Sequence, residues 1–354
     1  MEIKFLLKKM REIEASDLHL VAGVPPSFRV DGLLKPEGEE ILNSEKIKSI
    51  IYPLMNEERQ STFERKKDFD FSHGISGMGR FRINVHYQRG SVAAAIRRIP
   101  YQVPSLKELG LPIIIGDLPL KEKGLILVTG PTGSGKSTTL ASMVDIVNQT
   151  KALHIMIIED PIEYLHSHKK SVVEQREIGG DARSFASSLK YCLRQDPDVI
   201  MVGEMRDLET ISTAVTAAET GHLVLATLHT PDAPGAIDRI IDVFPPYQQS
   251  QIRVQLAGVL IAVVAQTLVP MQKGKGRVPG IEILIGTPAV ANLIRTAKSH
   301  QLYNIMQTSS RMGMQTMDQS LISLIRKGLI AVEEARFRAR DFNFIQESLR
   351  KRGY

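Results

Sequence analysis

The sequence predicts an α/β protein: a small α+β domain in the first hundred residues, then a larger domain built on a mostly parallel sheet and closed by helices. Three observations carry this. Gly130-Pro131-Thr132-Gly133-Ser134-Gly135-Lys136-Ser137-Thr138 fits G-x-x-x-x-G-K-[ST], between the apolar run Leu125–Thr129 and a helical spacing of Leu140, Met143, Val144 and Val147. Apolar runs then alternate with helical patterns, the mark of parallel strands joined by crossovers. Ahead of the loop, short alternating stretches mix with helical ones. The 43% hydrophobic and 24% charged content is that of an ordinary globular protein, and 354 residues leave room for two or three domains.

In chain order, residues 2–13 read as an amphipathic helix. Ser16–Leu20 and Ser27–Gly32 read as strands, turned by Gly23 and Pro25-Pro26. Ser44–Met55 reads as helix. Phe69-Asp70-Phe71 opens a second strand group, followed by a loop at 74–79. Arg80–Gln88 alternates, with Phe81, Ile83, Val85 and Tyr87 on one face and Arg80, Arg82, Asn84 and His86 on the other. A two-residue turn at Arg89-Gly90 sends Ser91–Ile99 back, which sets Arg82 directly across from Arg97. Two like charges in that position repel, and an anion between them would reverse the sign. Both arginines are therefore candidates to reach a nucleotide phosphate; two solvated arginines near a strand end is the plainer reading. Residues 101–124, with Pro104, Pro112 and Pro119, read as a partly structured connection between a domain at 1–100 and one at 125–354.

The 130–138 loop carries the clearest chemistry. Its glycines let the backbone curl with N–H groups inward, and the helix that follows adds positive potential at its N-terminus. Lys136 can reach the β- and γ-phosphates, and the Ser137 hydroxyl can hold Mg²⁺. Further strands are expected at His154–Ile158, Val199–Glu204 and His222–His229. A helix is expected after Asp207, stopped by Gly221. Ligands of such sheets sit beyond the carboxyl ends of the strands. That rule selects Glu204 as the acid of the magnesium site, with Gly203 where an Asp is usual. It also selects Glu159, Asp160 and Glu163 as carboxylates able to orient the attacking water, and His229 as a reporter of the γ-phosphate. Solvated loop ends, helix caps and a packing histidine are the alternative readings of these residues.

Other classes are disfavoured. One cysteine, Cys192, forms neither an internal disulfide nor a Cys₄ zinc site, and fits a reducing compartment. His166-x-His168 lacks partnering carboxylates for a metal. Leu256–Val269 is the most apolar segment; it is shorter than a membrane span, includes Gln266 and Thr267, and reads as a buried helix. The first residues hold too short an apolar stretch for a signal peptide. The net charge of +6 permits an acidic partner, yet tryptophan is absent, aromatics are 5%, and no nucleic-acid signature occurs, so no nucleic acid is expected. No Asn-Lys-x-Asp occurs, which favours ATP over GTP.

Taken together these motifs resemble the secretion ATPases of the type II/type IV pilus class, nearly end to end, and most of all its retraction motors. The carriers are Ser16–Leu20 and Phe28–Gly32; the loop Gly130–Ser137; Ile158-Glu159-Asp160-Pro161-Ile162-Glu163-Tyr164; Leu193–Asp198 through Gly203–Asp207; and Thr220–His222 to Leu228–Thr230. The resemblance implies a PAS-like N-terminal domain, a RecA-like ATPase domain with C-terminal helices over about 287–354, and a homohexameric ring. It assigns Glu163 as general base, Glu204 as the Mg²⁺-linked acid, Arg82 and Arg97 as phosphate-facing cations, and Arg206 and Arg239 as couplers to domain movement. It further implies ATP and Mg²⁺ as ligands and an inner-membrane pilus platform protein as partner, with the pilin machinery served indirectly. The location it implies is cytoplasmic, peripheral at the inner membrane. A tetracysteine insertion typical of the assembly and secretion motors is missing. Ala289–Thr296 keeps five of the eight residues of the retraction signature. The alternatives are an assembly or secretion motor, a nucleic-acid-stimulated NTPase, and a nucleotide-gated scaffold.

Overall fold

A computed structural model describes residues 2–350 except 31, 76, 77, 101 and 275. It divides into two compact units, Met1–Gln102 with Glu163–Leu165, and Val103–Ile162 with His166–Tyr354.

The first unit holds helices α1 (Ile3–Glu12), α2 (Ser44–Ile51) and α3 (Glu57–Lys66), and strands β1 (Asp17–Leu20), β2 (Ser27–Val30), β3 (Leu33–Pro36), β4 (Asp68–Ile75), β5 (Gly79–Gln88) and β6 (Ser91–Ile99). The strands form one antiparallel sheet in the order β3-β2-β1-β6-β5-β4. Alternation dictates its two faces. Phe81, Ile83, Val85, Leu18 and Leu20 pack with Leu6, Leu7 and Met10 of α1, Ile47, Ile50 and Ile51 of α2, and Phe63 of α3. The opposite face keeps Arg82, Asn84 and Arg97. The β5–β6 hairpin has the expected register, Arg82 opposite Arg97, because Arg89 (φ 48°) and Gly90 (φ 76°) form a tight turn of left-handed residues. Strand β3 and helix α3 were not expected. Leu33 and Leu34 are exposed edge residues, and α3 buries only Phe63, so neither leaves a period in the sequence. The expected strand at Ser27–Gly32 ends at Val30; its Asp31, and Ser76 and Gly77 of the expected loop, lie outside the described residues.

The second unit begins with the short helix α4 (Ile114–Asp117). Its strands are β7 (Gly124–Thr129), β8 (His154–Glu159), β9 (Val172–Glu177), β10 (Val199–Val202), β11 (Leu223–Leu228), β12 (Leu260–Pro270) and β13 (Arg277–Ile285). Helices α5 (Lys136–Thr150), α6 (Phe185–Cys192), α7 (Leu208–Glu219), α8 (Ala233–Asp242) and α9 (Pro246–Val259) alternate with them; α10 (Pro288–Arg295), α11 (Leu302–Thr308), α12 (Met317–Arg326), α13 (Val332–Arg336) and α14 (Phe342–Arg350) follow. The sheet order is β13-β12-β7-β11-β10-β8-β9, parallel throughout except for β13. Helices cover both faces, so successive residues of β7 enter two different cores: Leu125 and Leu127 one, Ile126 and Val128 the other. Leu111, Ile115 and Leu118, from the stretch expected as a connection, are buried in the second of these.

One expectation is corrected. Leu256–Val269 is not a buried helix: α9 stops at Val259 and the rest is β12. A strand covered on both faces is apolar without alternation, so its sequence pattern cannot be told from that of a buried helix. The β-branched Val263, Val264, Thr267 and Val269 favour the strand.

Candidate functional site

The strand β7 delivers the loop 130–135 to the N-terminus of α5, beyond the carboxyl end of the sheet. Three of its glycines have positive φ: Gly130 at 142°, Gly133 at 77° and Gly135 at 90°. At Gly130 the need is also steric. A Cβ there would lie 2.2 Å from the Gln266 carbonyl oxygen and 2.7 Å from Ser134 Oγ. Lys136 lies beneath the loop, 8% exposed, and its Nζ donates to the carbonyls of Gly130 (2.9 Å) and Pro131 (3.1 Å). Burial pushes its ammonium below the ordinary lysine value, while the Glu204 charge acts the other way. Ser134 Oγ is buried without a hydrogen-bond partner. A curled glycine backbone over a buried lysine is a cradle of phosphate size and charge.

Polar residues at neighbouring strand ends gather beside it. Glu204 stands two residues past β10, where its Oε1 is 2.7 Å from Arg206 Nε and its Oε2 is 3.6 Å from His229 Nε2. Thr132, Arg206, His229 and Arg239, with Met205 and Leu228, line a cavity of about 350 Å³. So Thr132 of the loop, both arginines expected to couple movement, and the histidine expected to report on phosphate face one space. Gly203 is now explained: a Cβ there would sit 3.2 Å from both Glu159 Cα and the Ile158 carbonyl oxygen. The β8 backbone thus crowds position 203, where a side chain would require it to give way, and the nearest acid is the next residue, Glu204. Glu159 ends β8 and is buried; Asp160 and Glu163 are exposed, and Glu163 groups with the first unit. Ser137 lies in the first turn of α5, half-buried. Its hydroxyl and the Glu204 carboxylate are hard oxygen donors, the set that suits Mg²⁺ completed by phosphate and water. Among the described residues no group of three or more His, Cys, Asp or Glu could hold a metal by itself.

Arg82 and Arg97 occupy a different place, the polar face of the first sheet. With Asp17, Asp70, Asn84 and Ala95 they line a cavity of about 300 Å³. The repulsion expected between them is partly relieved inside the sheet. Asp17 of β1 is in register with Arg97 on its other side, and Arg97 Nε donates to Asp17 Oδ1 at 2.8 Å. Burial acts to raise the Asp17 carboxyl, but the hydrogen bonds and charge of its neighbours, Arg97 foremost, outweigh it and hold the group below its ordinary value.

Two polar residues escaped the sequence reading. Gln266, 2% exposed on β12, accepts from Thr139 Oγ1 at 2.9 Å and donates from Nε2 to the Ser134 carbonyl at 2.7 Å. Glu282, 2% exposed on β13, accepts from the backbone N–H of Ala233 (2.8 Å) and of Met317 (3.3 Å), the first residues of α8 and α12. Burial raises its carboxyl above the ordinary value against those two bonds. Each was signalled only by being a polar residue within an apolar run. Cys192 is buried and its thiol is pushed up to about 11 by burial, so it is no nucleophile.

A glycine loop between a parallel strand and a helix, with a buried lysine beneath it and an acid at the end of another strand of the same sheet, defines a P-loop nucleotide-binding protein. The chain belongs to the type II/IV secretion system protein family, whose model matches residues 3–336. It is similar to the type IV pilus retraction ATPase PilT of Pseudomonas aeruginosa, 48% identical over 96% of this chain and 98% of that one. It is also similar to a twitching motility protein of Neisseria gonorrhoeae, 47% identical over 91% of this chain and 86% of the other. Among solved structures, that of the pilus retraction motor PilT with bound ADP matches at a TM-score of 0.91 and 49% identity, covering 98% of this chain and 99% of that one. The ATPase DotB of Legionella pneumophila matches at 0.77 and 26% identity, covering 98% and 96%.

Proposed function

We infer that this chain is an ATP-hydrolysing motor that powers type IV pilus retraction and twitching motility. The carrying observation is that its likeness to the retraction ATPases spans nearly the whole chain, with Lys136 beneath the loop and Glu204 past the end of β10, two strands from β7.

The residues divide the work as follows. The N–H groups of Gly133, Ser134 and Gly135, with those at the start of α5, bind the β- and γ-phosphate oxygens of ATP. Lys136 exchanges its two carbonyl partners for phosphate oxygens, an anionic acceptor being the stronger one. Ser137 and Glu204 would hold Mg²⁺, directly or through water. When bound, Mg²⁺ neutralises charge on the β- and γ-phosphate oxygens. Glu163 accepts a proton as water attacks the γ-phosphorus; the bond to the ADP oxygen breaks, giving ADP and phosphate. Arg82 and Arg97 add positive charge to the phosphates. His229, beside Glu204, senses the γ-phosphate, and Arg206 and Arg239 pass the change on.

Six copies form the working ring, and the force acts on an inner-membrane platform protein at the pilus base, through which the pilin machinery is served. No described helix is long and apolar enough to cross a membrane, and the motor works from the cytoplasmic side, peripheral to the inner membrane. Cells whose only copy carries Glu163→Gln test this. Excess surface pili without twitching are expected; bald cells would mean an assembly motor instead.

A further inference from the structure

We propose that Gln266 is a positioning residue of the nucleotide site: it fixes the orientation of the Ser134–Gly135 peptide so that the Gly135 N–H faces the phosphates. The proposal rests on the reading of the 130–138 loop as the phosphate site.

The geometry is specific. Gln266 Nε2 donates to the Ser134 carbonyl at 2.7 Å, and its Oε1 accepts from Thr139 Oγ1 at 2.9 Å. The carbonyl is an obligate acceptor, so the amide nitrogen must face it, and the amide oxygen then meets the threonine hydroxyl. A trans peptide points its C=O and N–H in opposite directions. Holding the Ser134 carbonyl against β12 therefore turns the Gly135 N–H away from β12, toward the concave side of the loop. The following residue is a glycine at φ 90°, the residue type that most readily permits this peptide to rotate. Without an anchor the loop would sample both orientations, and only one presents the donor to a phosphate.

The loop also runs close against Gln266 at both of its flanking glycines. The Gln266 backbone carbonyl closes on Gly130, leaving no room for a Cβ. A Cβ at Gly135 would lie 3.1 Å from Gln266 Nε2. Ladder pairing places Gln266 there, since Ala265 is in register with Thr129, the last residue before the loop. Thr139, one turn into α5, locks the amide from the helix side. Gln266 touches no phosphate itself; it acts through Gly135.

The experiment measures ADP affinity by calorimetric titration, together with the melting temperature of nucleotide-free protein, for the full-length chain, Gln266→Met, Thr139→Val and the double variant. Gln266→Met keeps length and apolar burial and removes both hydrogen bonds. Expected is a roughly tenfold weaker ADP affinity for Gln266→Met, the scale of one hydrogen bond to a charged group. A smaller loss is expected for Thr139→Val, and less than the sum of the two in the double variant, because both act on one amide. A purely structural role would lower the melting temperature and leave the affinity of the folded protein unchanged. ADP affinity within twofold of the parent in Gln266→Met would overturn the proposal. If that variant fails to fold, Thr139→Val decides by the same criterion, its parental affinity being the overturning result. Absence of ADP binding in the parent chain would overturn both the proposal and the reading of the loop, which separates that failure from the others.

Discussion

The phosphate loop and the arginine face of the first sheet both gather positive charge, and they hold it in opposite ways. Lys136 is buried, its ammonium fixed by two backbone carbonyls under a loop that β12 clamps. Arg97 is 69% exposed and is tied to one carboxylate, with the like charge of Arg82 facing it across the hairpin. The loop is thus shaped in advance for an anion, and desolvation strengthens what it binds. The arginines form a surface whose charge is only partly answered by Asp17, so a phosphate reaching Arg97, as the proposed function requires, would compete with a carboxylate for it.

Substitutions can break or sharpen that contrast. The largest effect is expected from Lys136→Ala: ATP hydrolysis falls by at least about a hundredfold in a phosphate-release assay. The nucleotide-free melting temperature changes little, since the loss of a buried charge is offset by two carbonyls left without their donor. Next comes Gly203→Ala. Its Cβ would press on the β8 backbone at 3.2 Å, and a loss of about 1–3 kcal/mol in denaturant unfolding is expected. That outcome would show the strand ends around Glu204 to be as rigid as the loop. Arg82→Ala and Arg97→Ala are each expected to lower kcat by about tenfold, with ADP affinity changed less than twofold; equal losses in both would mean that the exposed arginines bind nucleotide as the buried lysine does. The smallest effect belongs to Asp17→Asn, below about 1 kcal/mol because Arg97 is largely exposed. The Asp17 carboxyl is held below its ordinary value in the folded chain. Its pair with Arg97 therefore stabilises the fold above that ordinary value, and the contribution is lost as pH falls through the lowered one. Unfolding curves of parent and variant should differ at neutral pH and converge in strong acid.

Much of this was legible in the chain itself because local rules settled it. A two-residue turn at Arg89-Gly90 leaves one register for the hairpin, so the Arg82–Arg97 pairing followed from counting. The loop and its flanking strand and helix followed from a motif whose residues each have a physical duty. What was not legible depended on distant neighbours. Asp17 meets Arg97 only because β1 and β6, far apart in the chain, lie side by side. Gln266 serves the loop only because β12 pairs with β7. The misreading of Leu256–Val269 has the same root, since burial on both faces erases the period by which a strand declares itself. Gly203 was noticed as an irregularity, and its cause, the approach of β8, needed the fold.

Glu282 has a consequence for how the chain can be cut. One buried carboxylate accepts the first N–H of α8, the helix that starts four residues after His229, and the first N–H of α12, in the C-terminal helical segment. Removing α12 would leave a carboxylate oxygen in an apolar interior with its partner gone. The helices after β13 are therefore tied to the sheet by more than chain connectivity: a truncation before Met317 would strip one partner from the carboxylate that also holds the first turn of α8.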